Sequence, residues 1–474
     1  MNESDNEKLT LSRSLKSRHV MMIAIGGAIG TGLFLGSGSA IRSAGPSVIL
    51  AYLVFGIFSF FMMRALGELL VSDLSKHSFI DFMEEYLGEK FAFVVGWMYW
   101  GCFLASAMAD LTASGIYFKY WFPHLPQWIP PLVILVCLLL ANMIDVGVFG
   151  ELESLLSMVK ILAILALIGV SLFLVTTHAK VGSSVASFKN LFAYHGFFPT
   201  GATGFIQSFQ MVAFAFAGIE MVGLTAGETK DPMVDIPKSI NSLPVRIGLF
   251  YIGSMLAIMT VYPWNKITTS SSPFVQVFSG AGIAGAATIL NIVVIIATIS
   301  ATNSALFSTS RSLYSLAKAG HAPKRFMKLS SSAVPNNALH FSSFILLVVV
   351  ILNYVIPNKV FDIIASVAAI NFIFVWISIL ICHLKYRQAV KKDASVKPLK
   401  FKMPGYPFTD WISIVFFVAL LGLLVFLPQT EIPMLVSVVW IAVLFIAALY
   451  WSNHKKKTMI PSNEFDERVD EEAD

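Results

Sequence analysis

Charge is scarce in this chain. Only 13% of its 474 residues are Asp, Glu, Lys or Arg against 56% hydrophobic, a balance that no water-soluble domain of this size carries. Cysteine is scarcer still, with three in all. Cys102, Cys137 and Cys382 fall inside apolar stretches, so they read as small core residues and exclude a secreted-type disulfide framework. The sequence shows no Cys-x-x-Cys, histidine cluster, phosphate-cradling glycine loop or Ser-His-Asp set in a soluble segment. Enzyme chemistry, a bound metal and a cofactor therefore have no support. The non-membrane pieces, near 177–203, 228–242, 317–338 and 385–409, are too short to fold as a soluble signalling domain, as a membrane sensor would require.

Long apolar runs are abundant. They lie near 20–42, 46–71, 91–119, 128–145, 152–176, 204–227, 243–264, 282–316, 339–357, 360–384, 410–427 and 433–452. An all-α membrane protein of about twelve transmembrane helices follows. Basic residues test that count, because cytoplasmic loops are enriched in them. With both termini inside, only Arg42, Lys119, Lys180, Lys189, Lys266 and Lys359 of the 33 fall outside, and an odd helix count would misplace Lys455, Lys456 and Lys457. The net charge of +5 is thus an orientation signal spread over loops, with no nucleic-acid partner implied. The basic N-terminus before an apolar run also fits a cleaved signal peptide, against which the continuing glycine pattern argues. The acidic tail from Glu464 to Asp474 reads as a solvated end.

Gly26-Gly27-Ala28-Ile29-Gly30-Thr31-Gly32 interrupts the first span, where a spanning helix favours leucine. Backbone groups freed at membrane depth are tolerated only where they line a cavity or hold a polar ligand. Glycines four apart, such as Gly26 with Gly30 and Gly32 with Gly36, are also a close-packing pattern for membrane helices. A second interruption, Phe214-Ala215-Phe216-Ala217-Gly218-Ile219-Glu220, lies in the sixth span. If spans one to five (20–176) and six to ten (204–390) are two inverted repeats, the interruptions match in position. Spans eleven and twelve (410–452) then lie outside the repeats, with tails at 1–19 and 453–474. Matched broken helices are the sequence pointer to a secondary transporter with its site at the midplane.

Helix ends supply the chemistry. Amides of Gly30, Thr31 and Gly32 open a new half-helix whose positive end can hold a carboxylate. Carbonyls near Ala28 and from Phe214 through Ala215 to Ala217 can accept from an ammonium. A ligand carrying both groups on neighbouring atoms, an α-amino acid, matches. Two broken helices enclosing a zwitterion also exceed what a channel requires.

Several charges fall within spans. Lys160 lies roughly 13 Å into the fifth, near the midplane, where a lysine is paired or functional. Two roles stay open: a proton-coupling group, or a fixed cation standing where a sodium ion would bind, with hydroxyls of the eighth span as its neighbours. Glu220 either caps loose amides at the second break or contacts substrate or a proton. Asp110 reads as polar packing near Thr112 and Ser114, and Arg64 with Glu68, four apart, as a local ion pair serving structure or gating. Ser300, Thr302, Asn303, Ser304, Ser308, Thr309 and Ser310 form a polar stripe for which helix-to-helix hydrogen bonding is the default. Phe214 and Phe216, beside a break, are candidate lids.

The stretches Gly26–Phe34, Met63-Arg64-Ala65-Leu66-Gly67-Glu68, Ala109–Ala113, Glu220-Met221-Val222-Gly223 and Ser308–Lys318 resemble the amino acid-polyamine-organocation superfamily over nearly the whole chain. Within it they are similar to the bacterial amino acid transporter family. The resemblance implies a leucine-transporter-type fold with helices 1 and 6 broken, and proton-driven amino acid uptake across the plasma membrane. It places the substrate carboxylate on Thr31 and Gly32, the amine on the carbonyls of Ala28, Phe214 and Ala217, the gate at Phe214 or Phe216, and the proton on Lys160. Symport and exchange both remain open. Glu228–Pro232 and Ile236–Ser242 look most like D-serine/D-alanine/glycine and serine or alanine permeases. Small neutral amino acids are the expected substrates, with protons and the bilayer as the other partners.

Overall fold

The computed structural model of the chain describes residues 29–76, 78–143, 147–182, 184–221, 231–330, 334–392, 401–427 and 430–458. Ala28, the glycines before it, and Glu228 to Lys230 lie outside the described residues. In hydrocarbon each backbone N–H and C=O must be satisfied within its own segment, so the apolar runs become helices.

The first span is a π-helical turn, Gly32–Gly36, running into Ser37–Ala44; together they are α1. There follow α2 (Val48–Ser72), α3 (Phe79–Leu87), α4 (Glu89–Phe118), α5 (Ile129–Asn142), α6 (Gly147–Thr176) and α7 (Gly201–Ala215). Next come α8 (Pro232–Asn241), short helical turns over 243–252, α9 (Gly253–Val261), α10 (Pro273–Gly280) and α11 (Ala284–Lys318). The chain ends with α12 (Asn336–Val355), α13 (Val360–Lys392), α14 (Phe408–Val425) and α15 (Glu431–Thr458). Among the described residues ten helical stretches are long and apolar enough to cross a membrane, the first of them, Gly32–Ser72, joining spans one and two. The fourth is the shorter Ile129–Asn142. Each of the twelve expected spans thus has its helix, and the protein is an all-α, multi-pass membrane protein.

The departures have local causes. The seventh span begins at Pro232, inside the segment expected as a loop, because proline at the first helical turn forfeits no hydrogen bond. The amphipathic α3 was not expected, although its capping box is legible: Ser78 accepts from Ile80 N–H while Asp81 accepts from Ser78 N–H. A two-residue hairpin, Lys180–Val181 with Ser184–Val185, lies in the connection after α6. Cys137 is exposed on the short α5 rather than part of the core, whereas Cys102 and Cys382 are buried.

The long helix α4 packs along both α11 and α13, and α13 in turn supports α7. By contrast α14 and α15 carry exposed Trp411, Val415, Leu435, Val439 and Ile446, as a lipid-facing periphery would.

Candidate functional site

The two interruptions meet. Ile29 and Gly30 form a bend, and the Gly30 carbonyl accepts from Leu33 and Phe34 N–H at 3.1 and 3.2 Å, so the amides of Thr31 and Gly32 precede the first helical bonds. On the facing element α7 stops at Ala215, Phe216–Gly218 turn, and a 3₁₀ turn covers Ile219–Met221. Gly218 takes φ +92°, a conformation that an L side chain rarely adopts. Closest approach falls at Gly32: a Cβ there would sit 2.6 Å from the Ala215 Cα and 2.9 Å from the Phe214 carbonyl oxygen.

Between the breaks lies a cavity of about 30 Å³, lined by Gly30, Thr31 and Gly32, by Phe214, Ala215, Ala217 and Gly218, and by side chains of α4 and α11. From α4, Asp110 enters it instead of packing against Thr112 and Ser114, whose hydroxyls turn back to their own helix at Met108 and Leu111. The Thr31 hydroxyl donates to Asp110 Oδ1 at 2.5 Å, and the Thr31 backbone N–H is directed at the same carboxylate. The positive start of α1 is therefore met by a carboxylate belonging to the protein.

Lys160, on α6, is fully buried and lies within electrostatic reach of Asp110. Phe214 lines the cavity, with its ring edge-on to Phe361 of α13 at 6.2 Å between centroids. One turn earlier on α7, Met211 lines a second, wider cavity of about 890 Å³ that opens among Arg42, Thr203, Lys359 and Glu431. Phe214 is absent from the lining of the wide cavity. Beside it a polar chain ties three helices: Ser39 of α1 donates to Asp362 of α13 at 3.0 Å, and Gln210 of α7 donates to Ser366, which donates to the Asp362 carbonyl.

Other candidates are placed differently. Phe216 faces away from the cavity, stacked on Tyr251 of the 247–252 turn at 4.8 Å and packed on Phe55 of α2 at 5.2 Å. The Ala215 carbonyl, expected to be free for an ammonium, accepts from Tyr251 Oη at 2.9 Å. Glu220 is fully buried outside the cavity lining, its Oε2 accepting from Trp376 Nε1 of α13 at 3.2 Å. Asn303 accepts from Asn142 of α5 at 2.6 Å, a helix-to-helix contact. Neither it, Ser300 nor Ile29 lines the cavity; Ser304 does, and its buried hydroxyl has no hydrogen-bond partner among the described residues. Arg64 and Glu68 do not pair. Arg64 donates to Asn241 and to the Lys402 carbonyl, while Glu68 faces His383, Arg387 and the Met403 amide.

Sequence reasoning missed Phe103 and Ser106 of α4 and Met221 beyond the break, all of which line the cavity. Ser106 stands one turn before Asp110 on the same helix face, a spacing that carries that information once Asp110 is known to point inward.

The chain is similar to known proteins along its length. Residues 19–461 match the family model described as amino acid permease. The chain is 53% identical over 436 residues to the amino-acid permease AapA of Bacillus subtilis (strain 168), covering 92% of this chain and 94% of that one. It is 44% identical over 444 residues to the D-serine/D-alanine/glycine transporter of Escherichia coli (strain K12), covering 93% and 94%. Two interrupted helices meeting at a polar cavity inside a multi-pass helical bundle, together with these matches, establish that the chain belongs to the amino acid permease family of transporters.

Proposed function

We propose that the protein is a proton symporter that imports small neutral amino acids, alanine, serine and glycine with their D-isomers among them. The observation that carries this reading is the Thr31–Asp110 contact at the start of α1. A substrate carboxylate suited to the amides of Thr31 and Gly32 competes there with Asp110 for the same donors, and a proton taken up by Asp110 removes its claim. Lys160, buried within reach of Asp110, is the group that gives up and regains that proton. The substrate ammonium is taken by carbonyls at the breaks, those of Phe214 and Ala217 and of Ala28, with Phe214 as the lid.

Small substrates suit a cavity bounded by Gly30, Ala217, Ala301, Ser304 and Ala305. The D-serine/D-alanine/glycine transporter that is 44% identical adds the same indication. Both termini lie in the cytoplasm of a bacterial cell by the distribution of Lys and Arg, which turns the wide cavity outward. The repeats at 20–176 and 204–390 supply one broken helix each, and 410–452 adds the flanking pair.

The deciding measurement is uptake of labelled glycine and of D- and L-alanine and serine into proteoliposomes, with and without an inward proton gradient. Accumulation that follows the gradient supports the reading. Uptake that ignores the gradient and requires internal amino acid shows an exchanger; a strong preference for leucine, lysine or proline overturns the substrate assignment.

A further inference from the structure

We propose that Glu68, His383 and Asp410 form a second proton-binding site, separate from Asp110 and Lys160, in which a bound proton fastens the end of α2, the Lys-rich end of α13 and the start of α14 together.

His383 lies on α13, two turns beyond Trp376, and is completely buried. Both of its ring nitrogens face carboxylates: Nδ1 is 2.7 Å from Asp410 Oδ1 at the first turn of α14, and Nε2 is 3.1 Å from Glu68 Oε2 near the end of α2. Glu68 and Asp410 are themselves 1% and 0% exposed, so neither charge is shared with water. An ionised carboxylate only accepts hydrogen bonds, and a neutral imidazole has one donor and one lone pair. With a neutral ring, one nitrogen lone pair would face a carboxylate lone pair at hydrogen-bond distance in a dry interior. With an imidazolium both contacts become charge-assisted hydrogen bonds.

The neighbours fix the charge balance. From α13 itself Arg387 Nε lies 3.3 Å from Glu68 Oε1, and the Met403 amide donates to Glu68 Oε2 at 2.6 Å, which hold Glu68 ionised. Asp410 Oδ2 is buried with no hydrogen-bond partner among the described residues, where the histidine is the partner of that carboxylate. Arg64, a turn before Glu68 on α2, is directed to Asn241 and Lys402 and stacks on Phe401. Tyr386 and Tyr406 pack on the imidazole at 6.2 and 6.0 Å between centroids, and α3 adds Tyr86 against Tyr386, while Glu85 pairs with Lys76. Arg387 in contact and Arg64 at longer range act on Glu68, whereas Asp410 has the imidazolium as its counter-charge; loss of the proton leaves that buried carboxylate uncompensated, which is costly.

The cluster is linked to the break that follows α7. Helix α2 packs Phe55 on Phe216, and α13 bonds Trp376 to Glu220, so the two helices that flank the break are the two that the histidine joins. A proton on His383 holds these ends closed, and its release frees them to separate.

Nitrogen NMR of ¹⁵N-histidine-labelled full-length protein in nanodiscs reads the protonation state without any substrate, so the outcome is independent of the symport proposal. At pH 7.5 an unperturbed histidine, with pKa about 6.5, is roughly nine-tenths neutral. Expected is one doubly protonated ring at that pH, absent in His383→Gln and converted to a neutral ring in Asp410→Asn. If His383 cannot be replaced without unfolding, Glu68→Gln and Asp410→Asn assign the signal, because each perturbs this ring. A neutral His383 ring at pH 7.5 overturns the proposal. A second readout is hydrogen–deuterium exchange of residues 401–410 at pH 7.5. At least tenfold faster exchange in Asp410→Asn than in the unaltered protein is expected, and equal rates overturn the fastening role.

Discussion

The backbone of Gly32 comes so close to that of Ala215 that a Cβ on the glycine would stand 2.6 Å from the Ala215 Cα. Backbone, unlike a side-chain tip, cannot swing aside. Gly32→Ala is therefore expected to separate the two interrupted helices and cost about 1–3 kcal/mol, as overpacked sites do. At Gly30, by contrast, a Cβ meets Ala301 Cβ at 3.7 Å and Asp110 Oδ1 at 3.9 Å, ordinary contact distances. Gly30→Ala should keep its melting temperature and raise the KM for uptake by filling the cavity. Melting curves and uptake kinetics for the pair distinguish a packing glycine from a cavity glycine, and equal melting losses would refute the distinction.

Thr31 and Asp110 offer a second test. A hydrogen bond to a charged group contributes about 1.5–3 kcal/mol, so Thr31→Val is expected to lower kcat/KM roughly 10- to 150-fold, with Thr31→Ser close to the unaltered protein. Asp110→Asn keeps an acceptor for Thr31 but removes the titrating carboxylate. It should abolish proton-driven accumulation. Accumulation that still follows the gradient in Asp110→Asn would remove Asp110 from the coupling path.

Lys160 acts on Asp110 across the cavity wall in the proposed cycle. Lys160→Ala is expected to lose concentrative uptake while retaining substrate binding or exchange. Because the two groups interact, Lys160→Ala combined with Asp110→Asn should cost less than the sum of the single variants. A strictly additive double mutant in uptake assays would show that they work independently.

The two phenylalanines at the break after α7 separate by readout. Phe216 stacks on Tyr251 and Phe55, and Phe216→Ala should cost about 3–5 kcal/mol of stability through the cavity it leaves. Phe214 lines the narrow cavity, one turn along α7 from Met211 of the wide one. Phe214→Ala should retain most of its thermal stability yet release bound substrate at least tenfold faster to the outer side, as measured by washout of labelled amino acid. The reverse pattern would exchange their roles.

Hydrocarbon forces helix on any long apolar run and penalises freed backbone, so the twelve spans, their all-α fold and the interruptions at Gly30 and Gly218 were legible in the sequence. So was the burial of Lys160, since a lysine in the middle of such a run has few places to go. The direction in which a buried side chain points was not legible. It depends on which helix lies opposite, and that is set by packing between segments far apart in the chain. Tertiary structure alone turned Asp110 onto Thr31, 79 positions away, gave Ser304 rather than Asn303 to the cavity, and removed Phe216 and Glu220 to the packed side of the sixth span. It also parted Arg64 from Glu68, whose four-residue spacing suits a local pair, because in three dimensions Glu68 meets His383 and Arg387 on α13 and the Met403 amide, while Arg64 reaches Asn241 and Lys402. The sequence by itself determined where backbone was freed within the membrane; the packing of distant helices decided which side chains meet it.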